Sequence, residues 1–374
     1  MNNQKKILIF HLHSNGDCLY ATAIARQTKT DYPGCHLTWG VATFCKSILE
    51  NNPFIDQVWE IPNVNKSNST AVHRKLKKEI LKKKKDGIYD EVFFTQLIDD
   101  NIANYDGCIR SGIFRGYNKP ITVDITPVLR LFPHEKERVD KFAIQNKLKD
   151  YQNIILFEYA PQSAQLAITD DIALKIANEI TQDGKTAIIL SSAKPINSSS
   201  AAIIDGSELS LRETAALTFY CTHLLGCSSG ISWLTTSDAA KMLTMVQVLD
   251  PYSPWVNPMS RDFERFGIST SKLIEIYDNN PDVIVGCMIE VLNNDFAEVK
   301  KKYYAPLPLH FIGTSRGIYN MLCFLQFHAI VKHIRINISV FGFNPKLILA
   351  ILSGIFTAPF KLLKNTYTKR FLKA

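Results

Sequence analysis

The chain has 374 residues, of which 46% are hydrophobic and 21% are charged, and its formal net charge is +8. This length predicts two domains, each able to bury a core without metals or disulfides. The composition excludes a disordered chain, a collagen-like repeat and a polytopic membrane protein.

The positive charge is concentrated at one end of the chain. Nine Lys or Arg residues and no Asp or Glu lie between Leu309 and Ala374, so this segment carries +9 and the remainder carries −1. The same segment is rich in Phe, Ile and Leu.

The eight cysteines form no CxxC pair, and most have apolar neighbours, which is typical of free buried thiols. Residues 1–6 lead directly into an apolar strand, so no signal peptide is expected. We therefore expect a reducing, cytoplasmic location with no disulfides and no structural zinc.

Short apolar runs alternate with helical patterns in the first part of the chain. The predicted strands are residues 6–12, 36–41, 57–61 and 89–94, and the predicted helices follow Asp17, cover 45–50 and cover 75–85. Strands that alternate with helices in this way indicate βαβ units around a parallel sheet.

A second alternation follows. The predicted strands are residues 153–158, 186–191, 223–226 and 245–249, with helices over 170–183 and from residues 210 and 231. The fold class is therefore α/β, with two Rossmann-like parallel-sheet lobes, residues 1–150 and 151–300, that face a cleft. Ligands are expected at the carboxyl ends of the strands.

Residues 301–374 form a basic, apolar tail. Its longest uncharged stretches, residues 317–331 and 347–360, are shorter than the roughly 20 residues that cross a bilayer. We favour amphipathic helices on an anionic membrane surface, with helices packed on the body as the alternative. Nucleic acid is not expected as a partner, because the aromatic residues alternate with Leu and Ile rather than with polar residues.

The first candidate site is the turn Ser14-Asn15-Gly16-Asp17 between a strand and a helix. Gly16 permits a tight turn, and Asp17 could act as a general base towards a sugar hydroxyl. The alternative is that Asp17 only stabilises the first turn of its helix.

The second candidate site is the turn Cys227-Ser228-Ser229-Gly230-Ile231, again between a strand and a helix. Two hydroxyls and the N–H groups of a helical turn could hold a diphosphate. An ordinary serine helix cap is the alternative reading.

Two further groups of polar residues are candidates for ligand or metal binding. The loop that follows Phe157 contains Glu158, Ser163 and Gln165, which could contact a ligand or simply be solvated. His11 and His13 share one face of their strand, but the sequence offers no further metal ligands, so neither a metal nor another cofactor is expected.

Several of these motifs resemble one known family. The Asn-Gly-Asp turn, the Tyr32-Pro33-Gly34 helix end and the run from Asn52 to Val58 resemble the N-terminal half of the ADP-heptose:lipopolysaccharide heptosyltransferases. Residues 209–217 and the Gly226–Gly230 turn resemble their second half. These enzymes are glycosyltransferase family 9 and have the GT-B fold.

The resemblance implies metal-free transfer of a sugar from a nucleotide-diphosphate donor to a lipid-linked or cell-envelope glycan. The donor of the family is an ADP-linked sugar. The acceptor would bind the N-terminal lobe, next to Asn15 and Gly16, and Asp17 matches the family's base. Residues 228–231 match its diphosphate turn, and Ser163 and Gln165 lie where its donor contacts are.

The chain departs from the family pattern at the donor side. Ser228 replaces an Asp, a His after the turn is missing, and no Lys or Arg occurs near Ser163. A non-catalytic GT-B scaffold that binds a glycan or a partner transferase is therefore the alternative function. A two-lobed sugar-nucleotide epimerase is less consistent with the few acidic and His residues available.

Overall fold

A computed structural model describes residues 4–160, 168–253 and 258–357. Its ten strands are β1 (Lys6–Phe10), β2 (His36–Ala42), β3 (Gln57–Ile61), β4 (Glu91–Phe94), β5 (Asn153–Glu158), β6 (Thr186–Ser191), β7 (Ile203–Asp205), β8 (His223–Gly226), β9 (Thr244–Val248) and β10 (Leu273–Ile276).

Its α-helices are α1 (Asn15–Asp31), α2 (Ser69–Lys85), α3 (Ile109–Arg115), α4 (Pro133–Gln145), α5 (Asp170–Ile180), α6 (Leu211–Leu217), α7 (Gly230–Leu234), α8 (Met259–Arg265), α9 (Pro281–Asn293), α10 (Phe296–Tyr303), α11 (Ile312–Cys323) and α12 (Phe327–Phe341). Residues 345–357 are also helical. The predicted helix at 45–50 is a 3-10 helix, Thr43–Leu49.

The chain divides into two compact units. The first comprises residues 1–46, 53–125 and 309–374, and the second comprises 47–52 and 126–308. The boundary between the main segments therefore lies at residue 125, ahead of the expected boundary at 150. The basic tail belongs to the first unit and does not form a unit of its own.

The first unit contains a four-stranded parallel sheet in the order β3-β2-β1-β4. Strand β1 is central and almost entirely apolar, because both of its faces are covered. Its side chains pack with α2 in a buried cluster that includes Leu8, Phe10 and Ile80.

The second unit contains a six-stranded parallel sheet in the order β10-β9-β8-β5-β6-β7. Its core lies between β5, β6 and β9 and the helices α5 and α9, and it includes Phe157, Ile188 and Val248. The two parallel sheets confirm the predicted α/β fold class.

The described part of the tail packs on the first unit. Side chains of α11, α12 and residues 345–357 form one apolar cluster with Ala103 of the 3-10 helix Asp99–Asn104. The expected helices are therefore present, and their inner faces cover the unit's own body. Of the helices that the structure describes, none is both long enough and apolar enough to cross a bilayer.

The cysteines behave as predicted. All eight are free, and all are buried except Cys323, which is partly exposed.

Candidate functional site

Both predicted turns lie at the points where the strand order of their sheet reverses. In the first unit the chain continues from β1 to β2 on one side, and β4 lies on the other side. In the second unit β5 lies between β6 and β8 in the same manner. The carboxyl ends of strands at such a switch point form the crevice in which α/β proteins bind ligands.

Asp17 lies in the first turn of α1, directly after β1, and its side chain is partly buried. Ser14, the residue before the helix, has a left-handed backbone with φ of 76°. Burial raises the pKa of Asp17 to about 7, although a hydrogen bond from the Ser14 side chain opposes the increase. A carboxyl group with a pKa near neutrality can both accept and release a proton at physiological pH.

The loops that follow β1 and β4 are hydrogen-bonded to each other just before this turn. His11 Nδ1 lies 2.9 Å from Thr95 Oγ1, and the backbone N–H of His13 donates to Gln96 Oε1 at 2.8 Å. These bonds fix the two loops that follow neighbouring strands. Burial, reinforced by the nearby His13, lowers the pKa of His11 to about 3, so its imidazole stays neutral.

A third histidine, His73 of α2, belongs to the same cluster. It lies beside the ring of Phe10, with centroids 5.3 Å apart, and burial lowers its pKa to about 4. Neither ring nitrogen has a hydrogen-bond partner among the described residues. Across residues 4–160, 168–253 and 258–357, no three His, Cys, Asp or Glu side chains are arranged to hold a metal ion.

In the second unit, the buried carboxylate of Glu158 lies at the N-terminus of α7. It accepts hydrogen bonds from the backbone N–H groups of Ile231 and Ser232, at 2.8 and 3.3 Å, and from Ser232 Oγ at 2.6 Å. Burial raises the pKa of Glu158, and these hydrogen bonds oppose the increase. The N–H of Ile231, expected to contact a diphosphate, is thus donated to a carboxylate of the protein.

Gln247, which lies on β9, holds the same turn from the other side. Its Oε1 accepts a hydrogen bond from the N–H of Ser228 at 2.6 Å and lies 3.0 Å from Ser232 Oγ. Ser228 has a left-handed backbone with φ of 53°. A Cβ at Gly226 would lie only 2.4 Å from Ser232 Oγ, so the turn requires glycine there.

The structure brings the predicted residues together in two groups. Asn15, Gly16 and Asp17 share the first turn of α1, and residues 228–231 share the turn before α7 and its start. A Cβ at Gly230 would meet open space. Ser163 and Gln165 lie outside the described residues.

Four residues of these groups were not singled out from the sequence. Thr95 and Gln96 could have been found from the sequence, because they are two polar residues directly after the apolar β4. Gln247 could also have been found, because it is a polar residue within an apolar strand. No sequence pattern distinguishes His73, because a histidine in a lysine-rich helix resembles its solvated neighbours.

Comparison with known proteins identifies the fold. No family model and no curated protein sequence matches the chain. Among solved structures, it is similar to a glycosyl transferase family 9 protein from Veillonella parvula, with a TM-score of 0.52 and 14% identity over 76% of this chain and 89% of that one.

Two Escherichia coli structures are also similar. ADP-heptose lps heptosyltransferase II has a TM-score of 0.48 and 16% identity, over 79% of this chain and 99% of that one. Heptosyltransferase WaaC with ADP has a TM-score of 0.45 and 13% identity, over 74% and 94%. The predicted resemblance is confirmed at the level of the fold, which is the GT-B fold of family 9 glycosyltransferases.

Proposed function

We propose that this protein is a glycosyltransferase that moves a sugar from a nucleotide-diphosphate donor to a lipid-linked or cell-envelope glycan. Asp17 would remove the proton from the acceptor hydroxyl as its oxygen attacks the anomeric carbon, and the nucleotide diphosphate would leave. Asn15 and Gly16 would border the acceptor. The step needs no metal, and titration with nucleotides identifies the nucleotide of the donor.

The observation that carries this proposal is the environment of Asp17. Its carboxyl group lies at the carboxyl end of the central strand, at the reversal of strand order, with a pKa raised to about 7 by burial. A capping aspartate at a solvated helix end would have no such shift. A base with a pKa near the working pH is the kind that acid–base catalysis favours.

The donor would bind the second unit, with its diphosphate next to Ser228, Ser229 and Gly230. Open space lies beside Gly230, and its backbone N–H would stabilise the leaving group electrostatically. Ser163 and Gln165 would contribute from the loop after β5. The basic tail would hold the protein peripherally at the inner, cytoplasmic face of a membrane, close to its lipid-linked acceptor, and nucleic acid would not be a partner.

A second candidate function is a non-catalytic scaffold that binds a glycan or a partner transferase. The observation that favours it is Glu158, whose carboxylate takes the N–H groups of Ile231 and Ser232 and would repel a phosphate nearby. The absence of Lys and Arg from residues 159–168 points in the same direction.

Thermal-shift titration of the purified chain with ADP, GDP, UDP and CMP distinguishes the two functions. A ligand that binds only the native state stabilises it by about 2.7 kcal/mol at a hundredfold excess over Kd. The enzyme proposal expects a higher melting temperature with one nucleotide. No shift with any of them, in a folded protein, would favour the scaffold.

Titration of the variant Glu158→Gln tests whether this carboxylate weakens nucleotide binding, and Glu275→Gln is the matched control. Glu275 is also a buried glutamate whose pKa is raised by burial, and it caps α8 through Ser260. Removing the charge of Glu158 should tighten nucleotide binding roughly tenfold, because one anion beside the diphosphate is lost. Glu275→Gln should leave the affinity unchanged.

A further inference from the structure

The outer surface of the tail helices carries exposed apolar and basic side chains, although their inner surface is already packed. In α12 the buried residues Ala329, Ile330, His333 and Asn337 face the body of the first unit. Residues on the opposite side of the same helix, such as Val331 and Arg335, are exposed. The helix is therefore covered on one face and uncovered on the other.

The helix at residues 345–357 repeats this arrangement. It packs through Leu347, Ile351 and Gly354, and a Cβ at Gly354 would lie 2.7 Å from the carbonyl oxygen of Ser315. Its opposite face is apolar and exposed at the spacing i, i+3, i+7, which places one stripe along a helix. This stripe consists of Leu349, Leu352 and Phe356.

Further exposed apolar side chains lie in the connections between the tail helices and at the start of α12. Leu325, in the turn between α11 and α12, is 73% exposed and has a left-handed backbone with φ of 55°. Phe327 is 60% exposed, and Phe343, between α12 and the last helix, is 81% exposed. We call the six side chains Leu325, Phe327, Phe343, Leu349, Leu352 and Phe356 the tail surface.

Basic residues lie among these apolar side chains. Lys332, Arg335 and Lys346 are exposed on the same helices, and the sequence has no acidic residue after residue 308. The first unit as a whole has a formal net charge of +14 and the second has −6, which together give the +8 of the chain. The charge asymmetry therefore belongs to the first unit as a whole.

The lysine-rich helix α2 is joined to this region. Asp99 accepts hydrogen bonds from Arg74 of α2 and from Gln326 of the tail, both at 2.7 Å. The Arg74 guanidinium also lies 3.7 Å from the centroid of the Phe324 ring. Lys75, Lys78 and Lys82 of α2 are exposed, and their spacing of three and four residues places them on one face of the helix.

We propose that the tail surface docks the first unit onto an anionic lipid bilayer, with its apolar side chains inserted at the headgroup level. Lys332, Arg335, Lys346 and the exposed lysines of α2 would contact lipid phosphates. A bilayer fits better than a protein partner because the tail combines protruding aliphatic and aromatic side chains with basic residues and no acidic ones. This inference rests on the proposed peripheral association and names its surface, but it does not need the transfer chemistry.

Vesicle flotation of the full chain tests the surface directly. The chain should bind phosphatidylcholine vesicles that contain about one third phosphatidylglycerol, and should bind pure phosphatidylcholine far less. Raising NaCl from about 0.1 M to about 0.5 M should weaken the binding, because salt screens charges near the headgroups.

Two variants separate the apolar and basic contributions. Leu325→Asn with Phe343→Ser should lower vesicle binding roughly tenfold, and Asn suits the left-handed backbone at position 325. Arg335→Gln with Lys346→Gln should lower it roughly 25-fold, since each cation near the surface contributes about a fivefold factor. Melting temperatures of both variants should match the parent.

Matched controls come from the second unit. Ile144→Ser with Phe219→Ser removes two exposed apolar side chains, and Lys141→Gln with Lys149→Gln removes two exposed cations. Both should bind vesicles like the parent. Equal loss in the controls, binding independent of anionic lipid, or unchanged binding of the tail variants would each overturn the proposal.

Light scattering of the same samples tests the competing occupant, a second copy of this chain. A dimer that the tail variants dissociate, together with no vesicle binding, would overturn the proposal in favour of a self-association surface. The assay contains no nucleotide and no acceptor, so loss of sugar transfer and loss of docking are read separately.

Discussion

At the residue scale, two acidic side chains lie near the carboxyl ends of inner strands, Glu158 as the last residue of β5 and Asp17 in the helix after β1, and they differ in what surrounds them. The Glu158 carboxylate accepts hydrogen bonds from three donors of the first turn of α7, the N–H groups of Ile231 and Ser232 and the Ser232 hydroxyl. Asp17 has the Ser14 side chain as its hydrogen-bond partner and is partly open. Both carboxyl groups have a raised pKa, but Asp17 is partly exposed whereas Glu158 is buried, and the proposed function therefore assigns the proton transfer to Asp17.

Asp17→Asn should reduce sugar transfer by roughly 100-fold or more, since the amide cannot accept the acceptor's proton. In the parent, kcat/KM should rise with pH and level off above about 7, because only the ionised carboxylate acts as the base. The measurement is a pH–rate profile of both proteins, with exposed Asp86→Asn as the control.

The same substitution should not unfold the protein. In the folded protein the pKa of Asp17 lies above its ordinary value. Ionisation of Asp17 therefore lowers the free energy of unfolding as the pH rises through about 7. Asp17→Asn should therefore melt at the parent's temperature or higher at pH 8. Full transfer activity in a folded Asp17→Asn protein would contradict the mechanism.

At the element scale, the segment before and within α6 has a structural role. Ser210 and Glu213 form a capping box at its N-terminus. The buried Arg212 forms a two-point ion pair with Glu135 of α4, at 2.6 and 2.9 Å, and its guanidinium also donates to the carbonyl of Arg130. The family-like run at residues 209–217 therefore joins α6 to α4.

Arg212→Ala should destabilise the second unit by about 3–5 kcal/mol, because it leaves the Glu135 carboxylate buried without its partner. Burial would raise the pKa of Glu135, and the bonds from Arg212 and Phe132 hold it below its ordinary value instead. Urea denaturation at pH 7 measures the change. Lys301→Ala, which breaks an exposed pair with Glu298, should leave the midpoint unchanged.

At the scale of the whole molecule, the tail completes the first unit through contacts between distant parts of the chain. Asn337 of α12 donates to the carbonyl of Tyr105 at 3.0 Å and accepts from Thr314 Oγ1 at 3.2 Å. His333 Nδ1 lies 3.3 Å from the carbonyl of Ala103. The tail thus has one face that holds it to the body and another that is available for docking.

Asn337→Ala should destabilise the first unit by about 1–3 kcal/mol, because the buried carbonyl of Tyr105 loses a hydrogen bond. Ser339→Ala lies on the exposed side of the same helix and should have almost no effect. The urea midpoints of the two variants provide the comparison. Equal midpoints would mean that the Asn337 hydrogen bonds contribute nothing to the attachment of the tail.

The sequence by itself was sufficient for eight of the ten described strands, their parallel alternation with helices, the free cysteines and the basic tail; it missed β7 and β10, which are only three and four residues long. These features depend on local patterns: apolar runs for β1 and β5, capping residues such as Ser210, and charge along the chain. The turns at Asp17 and Ser228 were also predictable, because each directly follows an apolar strand.

Only the tertiary structure decided which groups meet. Periodicity identified the tail helices as amphipathic, but the packing of Asn337 against Tyr105 depends on residues 232 positions apart. Likewise, nothing near Glu158 in sequence shows that its carboxylate accepts from Ile231 and Ser232. A buried polar group needs a partner, and that partner is set by how distant segments pack, which local sequence patterns do not encode.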